Sequence, residues 1–236
     1  GRMHPEVSSF ANRHFYNGQL CPVPLPHQTS TLPYNTYNKA SALQALIATH
    51  RTAFINCPLP KQEERFKTNS HEAQLCAMVV KNIIELYRTN GIPYDAHQTI
   101  GIISPFRGQG ALIRNELSLL DMEEYTQHIS IDTVERYQGS QRDIIIYCTT
   151  ITSPSQMELI VEAIDPTSPI VNQPIDRKLN VALTRARMQL FVIGIPQVLD
   201  TDCNYRALIN ELPQYLHPTA EYCNQSSNNV PKNSGR

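Results

Sequence analysis

Short apolar runs alternate with longer amphipathic stretches along most of the chain. Runs without polar alternation are typical of strands that are buried on both faces, as in a parallel sheet between helices. We therefore expect an α/β fold with a mostly parallel sheet and helices on both faces. The predicted strands cover residues 53–57, 99–103, 128–131, 143–149 and 189–193.

Apolar residues at three- and four-residue spacing, together with capping signals, mark the helices. The clearest helix follows Asn69, because Asn69 and Glu72 resemble a capping box and Gly91 stands where the apolar repeat stops. Further helices are expected over residues 5–16, after Ser104-Pro105 and over residues 179–186.

The positions of the proline-rich and polar segments predict one domain over residues 1–212. Residues 21–52 form a proline-rich region that reads as a connecting loop at its start, and residues 157–174 read as an inserted loop or hairpin. The last segment, 213–236, is polar and rich in Asn and Ser, so we expect a flexible tail.

Charge and apolar content limit the possible partners. The formal net charge is only -1, so a site for nucleic acid has to be local. Fourteen of the twenty basic side chains are Arg, whose planar fork of donors suits phosphate. No apolar run approaches the ~20 residues of a membrane-spanning helix, and we expect no membrane partner.

The six cysteines are widely spaced and form no C-x-x-C pair or zinc-type cluster. They read as reduced thiols, no secretory leader is visible, and we expect a cytoplasmic protein without a metal site of its own.

Polar segments that border the predicted strands are the candidates for chemistry, since ligands of open α/β sheets gather at the carboxyl ends of the strands. One of them runs from a strand into a helix start, whose free N–H groups favour an anion. The four candidate segments are residues 2–5, 104–109, 133–139 and 180–187.

These segments also carry motifs in a familiar order. Residues 2–5 read R-M-H-P with F-Y-N-G-Q-L at 15–20, residues 101–109 read G-I-I-S-P-F-R-G-Q, and residues 179–187 read L-N-V-A-L-T-R-A-R, with Gln138-Gly139 between them. In this order they resemble the second RecA-like domain of superfamily 1 helicases. The similar branch contains the nonsense-mediated mRNA decay helicase and the Okazaki-fragment nuclease-helicase.

The resemblance implies a RecA-like P-loop NTPase fold and a set of ATP contacts. By resemblance, Arg185 is an arginine finger and Arg2 a second contact to the γ-phosphate, so both are the candidate catalytic residues. The other implied ATP-binding residues are Gln138, Gly139 and Gln141, the last where close relatives often carry a ribose-contacting glutamate. A surface cation paired with a carboxylate is the alternative for Arg185.

Neighbouring Arg187 must face another way on a helix, and we expect it to form a structural ion pair.

The resemblance also implies half of a grip on a single strand of DNA or RNA. The candidate contacts are Ser104, Pro105, Gln109 and Thr133, which would bind the sugar-phosphate backbone irrespective of sequence. Ser104 could instead be a plain helix cap, since Ser before Pro is itself a helix-start signal. No base-reading element separates DNA from RNA.

No P-loop of the pattern G-x-x-x-x-G-K-[ST] occurs in the chain. In the family the P-loop and the Mg²⁺ ligands lie in the first RecA-like domain, so ATP and Mg²⁺ would be shared with that partner domain. The chain alone is expected to be inactive. A degenerate helicase domain that serves as a binding module is the alternative, and a Rossmann-type enzyme is disfavoured because no G-x-G-x-x-G opens a helix.

Overall fold

The computed structural model describes residues 3–61, 67–137, 139–161 and 176–217. Six strands form one sheet in the order β3-β2-β4-β5-β1-β6, and every pairing in it is parallel. The strands are β1 (Thr52–Asn56), β2 (Ile100–Ile103), β3 (Ser130–Asp132), β4 (Arg142–Cys148), β5 (Ala186–Gly194) and β6 (Gln214–Leu216). The expected α/β fold with a parallel sheet is confirmed.

The helices lie in two groups that pack on the sheet. One group joins α3 to α4 and α4 to α5, while in the other α1 contacts α7, α9 and β5. The helices are α1 (Pro5–Phe15), α2 (Pro26–Thr29), α3 (Ala42–Thr49), α4 (Ser70–Thr89), α5 (Arg107–Ser118), α6 (Glu123–Thr126), α7 (Arg177–Leu183), α8 (Pro196–Leu199) and α9 (Cys203–Glu211), with a 3₁₀ helix at Pro154–Leu159.

The core sits between these helix groups and along the central strands. All four residues of β2 are buried, and β4 is buried from Ile144 to Cys148. Branched Ile and Val side chains suit the pleated surface of a sheet that is covered on both faces. The apolar runs of the sequence therefore correspond to the middle of the sheet.

The predicted elements agree with the structure to within a few residues. Asn69 caps α4, because its side chain accepts a hydrogen bond from the backbone N–H of Glu72. Gly91 follows the helix with φ +63°, a conformation that glycine adopts without strain. However, α7 ends at Leu183 rather than at 186, and Ala186 already begins β5.

Two predicted boundaries differ from the structure. Ordered structure continues beyond residue 212, since β6 pairs with β1 through Phe54 and Gln214 at the edge of the sheet. The region 21–52 contains α2 and α3, and Ser41 caps α3 by accepting from the N–H of Gln44. Most of the expected insertion at 157–174 and the end of the chain from 218 lie outside the described residues.

Candidate functional site

The predicted site residues occupy opposite edges of the sheet. Ser104 and Thr133 follow the last residues of β2 and β3, at the carboxyl edge. Gln141 and Arg185 directly precede β4 and β5, at the amino edge, where Arg142 pairs with Ala186. We expected the candidate residues to lie at the carboxyl ends of the strands. Ser104 and Thr133 do so, whereas Gln141 and Arg185 lie at the amino ends.

Arg185 is half-buried and folds back onto the end of α7. Its Nε donates to the carbonyl of Val181 at 3.0 Å, and its Nη2 donates to the hydroxyl of Thr184 at 3.1 Å. Unpaired carbonyls at a helix end are natural acceptors for such a guanidinium. Burial lowers the pKa of Arg185, and Tyr16 opposes that effect. These two bonds use Nε–H and one hydrogen of Nη2, and they fix the plane of the Arg185 guanidinium group.

The fork lines a concavity of about 230 Å³ at the amino edge. Gln141 and Tyr16 line it too, and so does Met3, which follows Arg2 in the chain. The backbone near Met3 is held from two sides: Gln28 donates to its carbonyl at 2.8 Å, and the N–H of His4 donates to the carbonyl of Arg187 at 2.8 Å. Arg2 itself lies outside the described residues.

Arg187 is not among the residues that line this concavity, and it lies in β5 rather than on the predicted helix. Its Nε and Nη2 donate to the same carboxylate oxygen of Asp143, at 2.9 and 2.6 Å. The pair joins β5 to β4 and is the structural ion pair that the sequence predicted.

Two adjoining concavities lie at the carboxyl edge. The larger, of about 570 Å³, is lined by Lys67, Pro105, Arg107, Thr133 and Arg136 among others. The smaller, of about 280 Å³, shares Arg107, Thr133 and Arg136 with it and is also lined by Ser104 and Arg114. Four cations line the two concavities, and the carboxylates are those of Asp132 and Glu135. A local basic surface therefore exists in a chain that is almost neutral.

The two predicted hydroxyl contacts differ in availability. Ser104 is buried, and its hydroxyl bonds that of Thr150 at 3.0 Å and accepts from the N–H of Phe106 at 3.3 Å. The bond to Phe106 is a local turn contact rather than the helix cap that was the alternative for Ser104, because α5 begins at Arg107 with Phe106 as its N-cap and no side chain caps it. Thr133 is half-exposed and lines both concavities, and within the described part of the chain no hydrogen bond to its hydroxyl is found.

Gln109, a predicted nucleic-acid contact, has a structural bond instead. Its side chain is fully buried, its Oε1 accepts from the N–H of Asn69 at 2.8 Å, and its Nε2 donates to the carbonyl of Asn69 at 2.9 Å. The amide thus joins α5 to the cap of α4. Both polar atoms of the Gln109 amide are therefore engaged within the protein.

Residues 133–141 form a segment that connects the two edges. Thr133 and Arg136 lie at the carboxyl-edge concavities, whereas Gln141 lies at the amino-edge concavity. Buried Tyr137 anchors the segment by donating to the carbonyl of Ser130 at 3.0 Å. Gly139 has φ +88°, which favours glycine, and Gln138 lies outside the described residues.

Several residues of these sites were not predicted from the sequence. Arg107 and Arg114 both lie on α5, whereas Lys67 precedes α4, and only folding brings Lys67 to the same edge as the two arginines. Arg107 carried a usable signal, since it begins a helix directly after a strand. Lys67 carried none, because its neighbours in sequence contain no motif.

Among the described residues, no three His, Cys, Asp or Glu side chains are grouped in a way that could hold a metal ion. None of the helices within those residues has the length and apolar character needed to cross a membrane.

An all-parallel α/β sheet with helices packed against it, bordered by the motif residues described above, defines a RecA-like domain. The chain belongs to the AAA domain family (AAA_12), whose model matches residues 2–197 and which forms the C-terminal helicase region of superfamily 1 helicases. The family resemblance predicted from the motifs is thereby confirmed.

Relatives with this region are long proteins. The chain is 29% identical over 215 residues to "Regulator of nonsense transcripts 1" of Dictyostelium discoideum, covering 89% of this chain and 14% of that protein. It is 26% identical over 211 residues to "Helicase SEN1" of Saccharomyces cerevisiae, covering 89% and 9%. It is 32% identical over 155 residues to "DNA polymerase alpha-associated DNA helicase A" of the same yeast, covering 63% and 18%. The chain therefore corresponds to less than a fifth of each of these relatives.

Proposed function

We propose that this chain is one wall of an ATP-dependent helicase or translocase motor. It supplies Arg185 to an ATP cleft shared with a P-loop domain, and it supplies half of a grip on single-stranded DNA or RNA. The observation that carries the proposal is the shared concavity of Arg185 and Gln141, two residues 44 positions apart in sequence.

The geometry of Arg185 supports the ATP role. The two bonds to α7 orient its guanidinium beforehand, so little side-chain entropy is lost when a phosphate binds. Developing charge on a transferring phosphoryl group is stabilised most by donors that are already in place. Arg2 precedes Met3 in the chain, and by resemblance it is the second candidate contact to the γ-phosphate. Gln141 replaces the ribose-contacting glutamate of close relatives with a neutral amide.

The basic carboxyl edge supports the nucleic-acid role. The hydroxyl of Thr133 and the guanidinium groups of Arg107 and Arg136 line a groove in which phosphates can be bound without reading the bases. Pro105 lines the same groove, and Ser104 supports it from below through the N–H of Phe106. Binding of this kind weakens steeply as salt is raised.

Segment 133–141 is the element that connects both roles. Because one covalent segment contacts both edges, a shift of Gln141 upon nucleotide binding is transmitted to Thr133 and Arg136. Motors that step along a strand need such a connection between ligand-driven closure and grip.

Mg²⁺ is assigned to the partner domain. The described residues contain no cluster suited to it, and the sequence has no P-loop serine or threonine next to a P-loop lysine. When bound there, the ion would neutralise charge on the phosphates of ATP.

The test joins this domain to its P-loop domain and measures ATP hydrolysis with and without single-stranded DNA or RNA. Arg185→Ala is expected to lower kcat by at least a hundredfold, which is over ~2.7 kcal/mol of barrier, with little change in KM. A matched control is Arg206→Ala, which removes an exposed guanidinium paired with Asp200 at 2.8 Å. Stimulated turnover of Arg185→Ala within about threefold of the parent would contradict the finger assignment.

A further inference from the structure

The carboxyl edge also contains an aromatic surface that a backbone grip does not require. Phe106 is partly buried and lines both the larger and the smaller concavity. The ammonium of Lys67 lies over its ring, 5.6 Å from the centroid, and Lys67 lines only the larger concavity. A cation and an aromatic face are therefore paired at the point where the two concavities meet.

The lining of the smaller concavity combines apolar groups with three cations. Ile131, Gly110 and Ala111 line it beside Phe106, and a methyl group added at Gly110 would lie only 3.3 Å from Cγ2 of Ile131. Arg107, Arg114 and Arg136 are exposed at its margin. A flat apolar group can lie against Phe106 there while an attached anion remains within reach of the margin.

We propose that the smaller concavity is a slot for one unstacked base of a single-stranded polynucleotide. The base stacks on Phe106, and the flanking phosphates are bound by Arg107 and Arg136 on one side and by Lys67 on the other. This proposal rests on the function proposed above and adds a base contact to the backbone grip. A stacked base is sequence-tolerant, since every base has a π-face.

The local backbone supports this role of Lys67. Its φ is +66°, a left-handed conformation that is uncommon for a residue with a side chain. Two residues further on, Asn69 is bound on both its N–H and its carbonyl by Gln109 of α5, the helix that begins directly after Phe106. The segment that carries Lys67 is thus joined, two residues further on, to the helix that follows Phe106.

The experiment compares two probes of equal length, an oligothymidylate of about twelve nucleotides and an abasic phosphodiester chain that has no bases. Binding to the 236-residue chain is measured by fluorescence anisotropy at low salt. The wild-type chain should bind the base-bearing probe roughly fivefold to a hundredfold more tightly than the abasic probe.

Substitutions then locate that preference. Phe106→Leu should remove it and leave affinity for the abasic probe unchanged, whereas Phe106→Tyr should retain it. Lys67→Gln should weaken the binding of both probes by the same factor. It should also reduce the slope of log affinity against log salt concentration by about one. The control Lys39→Gln removes an exposed cation that lines neither concavity and should change neither affinity.

Equal binding of the two probes by the wild-type chain would overturn the slot and leave the backbone grip standing. A preference that persists in a folded Phe106→Leu variant would place the base contact elsewhere and equally overturn it. Binding of neither probe would contradict both the slot and the nucleic-acid role proposed for this domain.

Discussion

The backbone N–H of Thr150 donates a hydrogen bond to the carboxylate of Glu72 at 2.8 Å, inside the protein. Glu72 is fully buried, and its other oxygen accepts from the hydroxyl of Thr149 at 3.1 Å. Thr150 has φ +71°, and its hydroxyl in turn bonds that of Ser104 at 3.0 Å. A buried acid therefore supports the turn on which the carboxyl-edge groove is built.

The first prediction concerns the pH dependence of stability. Burial raises the pKa of Glu72 to about 8, against the opposing effect of the bonds from Thr150 and Thr149. A carboxyl whose pKa is raised by folding stabilises the folded state at low pH, and this contribution is lost as pH rises from about 4.5 to about 8. Glu72→Gln should remove that loss, which is on the order of a few kcal/mol.

Urea unfolding at a series of pH values across this window measures the effect as the difference in free energy of unfolding between variant and wild type. Glu158→Gln, at an exposed position, is the control for the loss of a carboxyl group. A difference for Glu72→Gln that does not change with pH would show that folding does not raise the pKa of Glu72.

The second prediction distinguishes the structural role of Arg187 from the role in ATP hydrolysis proposed for Arg185. The Arg187–Asp143 pair is about a third exposed, so water screens it and a double-mutant cycle with Arg187→Ala and Asp143→Ala should give a coupling of ~1 kcal/mol or less. In the two-domain motor, Arg187→Ala should leave kcat within about threefold of the parent. A loss of kcat as large as that expected for Arg185→Ala would identify Arg187 as the arginine that acts on ATP.

The third prediction compares two glycines. A methyl group at Gly101 would collide with the hydroxyl of Tyr137 and would lie 2.7 Å from Cγ of Arg142. Gly101→Ala should therefore displace the anchor of segment 133–141 and lower the free energy of unfolding by about 1–3 kcal/mol. Gly108→Ala is the matched control, because its nearest neighbour would be a Thr68 methyl at 3.4 Å.

Thermal or urea unfolding of both glycine variants measures the contrast. Equal stability of the two would mean that Tyr137 can move aside without cost.

The fourth prediction concerns Gln109. Gln109→Leu leaves the buried N–H and carbonyl of Asn69 without their side-chain partner, which should cost about 1–3 kcal/mol of stability. Affinity for the abasic probe should change less than about twofold, within ~0.4 kcal/mol, when measured well below the melting temperature. A larger loss of affinity in the folded variant would return Gln109 to the nucleic-acid contacts.

Local sequence signals were sufficient for most of the sheet but not for its edge. The isoleucine-rich β2 and β4 are recognisable because they are buried on both faces. In contrast, β6 is three residues long with two exposed side chains, and only its pairing with distant β1 makes it a strand. Such a pairing leaves no periodicity in the sequence.

The candidate site divides in the same way. The motif around Arg185 could be recognised from its sequence. Gln141 could be identified as a candidate ATP contact from its position three residues after Gln138. The lysine over Phe106 could not, because Lys67 reaches the ring only after α4 packs against α5. The burial of Gln109 was missed for the same reason: its partner Asn69 is distant in sequence.

Strand β1 is synthesised well before both of the strands with which it pairs. Thr52 pairs with Leu190, and the other side of β1 pairs with β6, so both partners emerge from the ribosome long after β1 itself. At ordinary elongation rates this delay lasts several seconds or more, while Phe54 and Ile55 have no sheet to join. Nascent chains of this domain should therefore expose the apolar side chains of β1 until the last strand has been made.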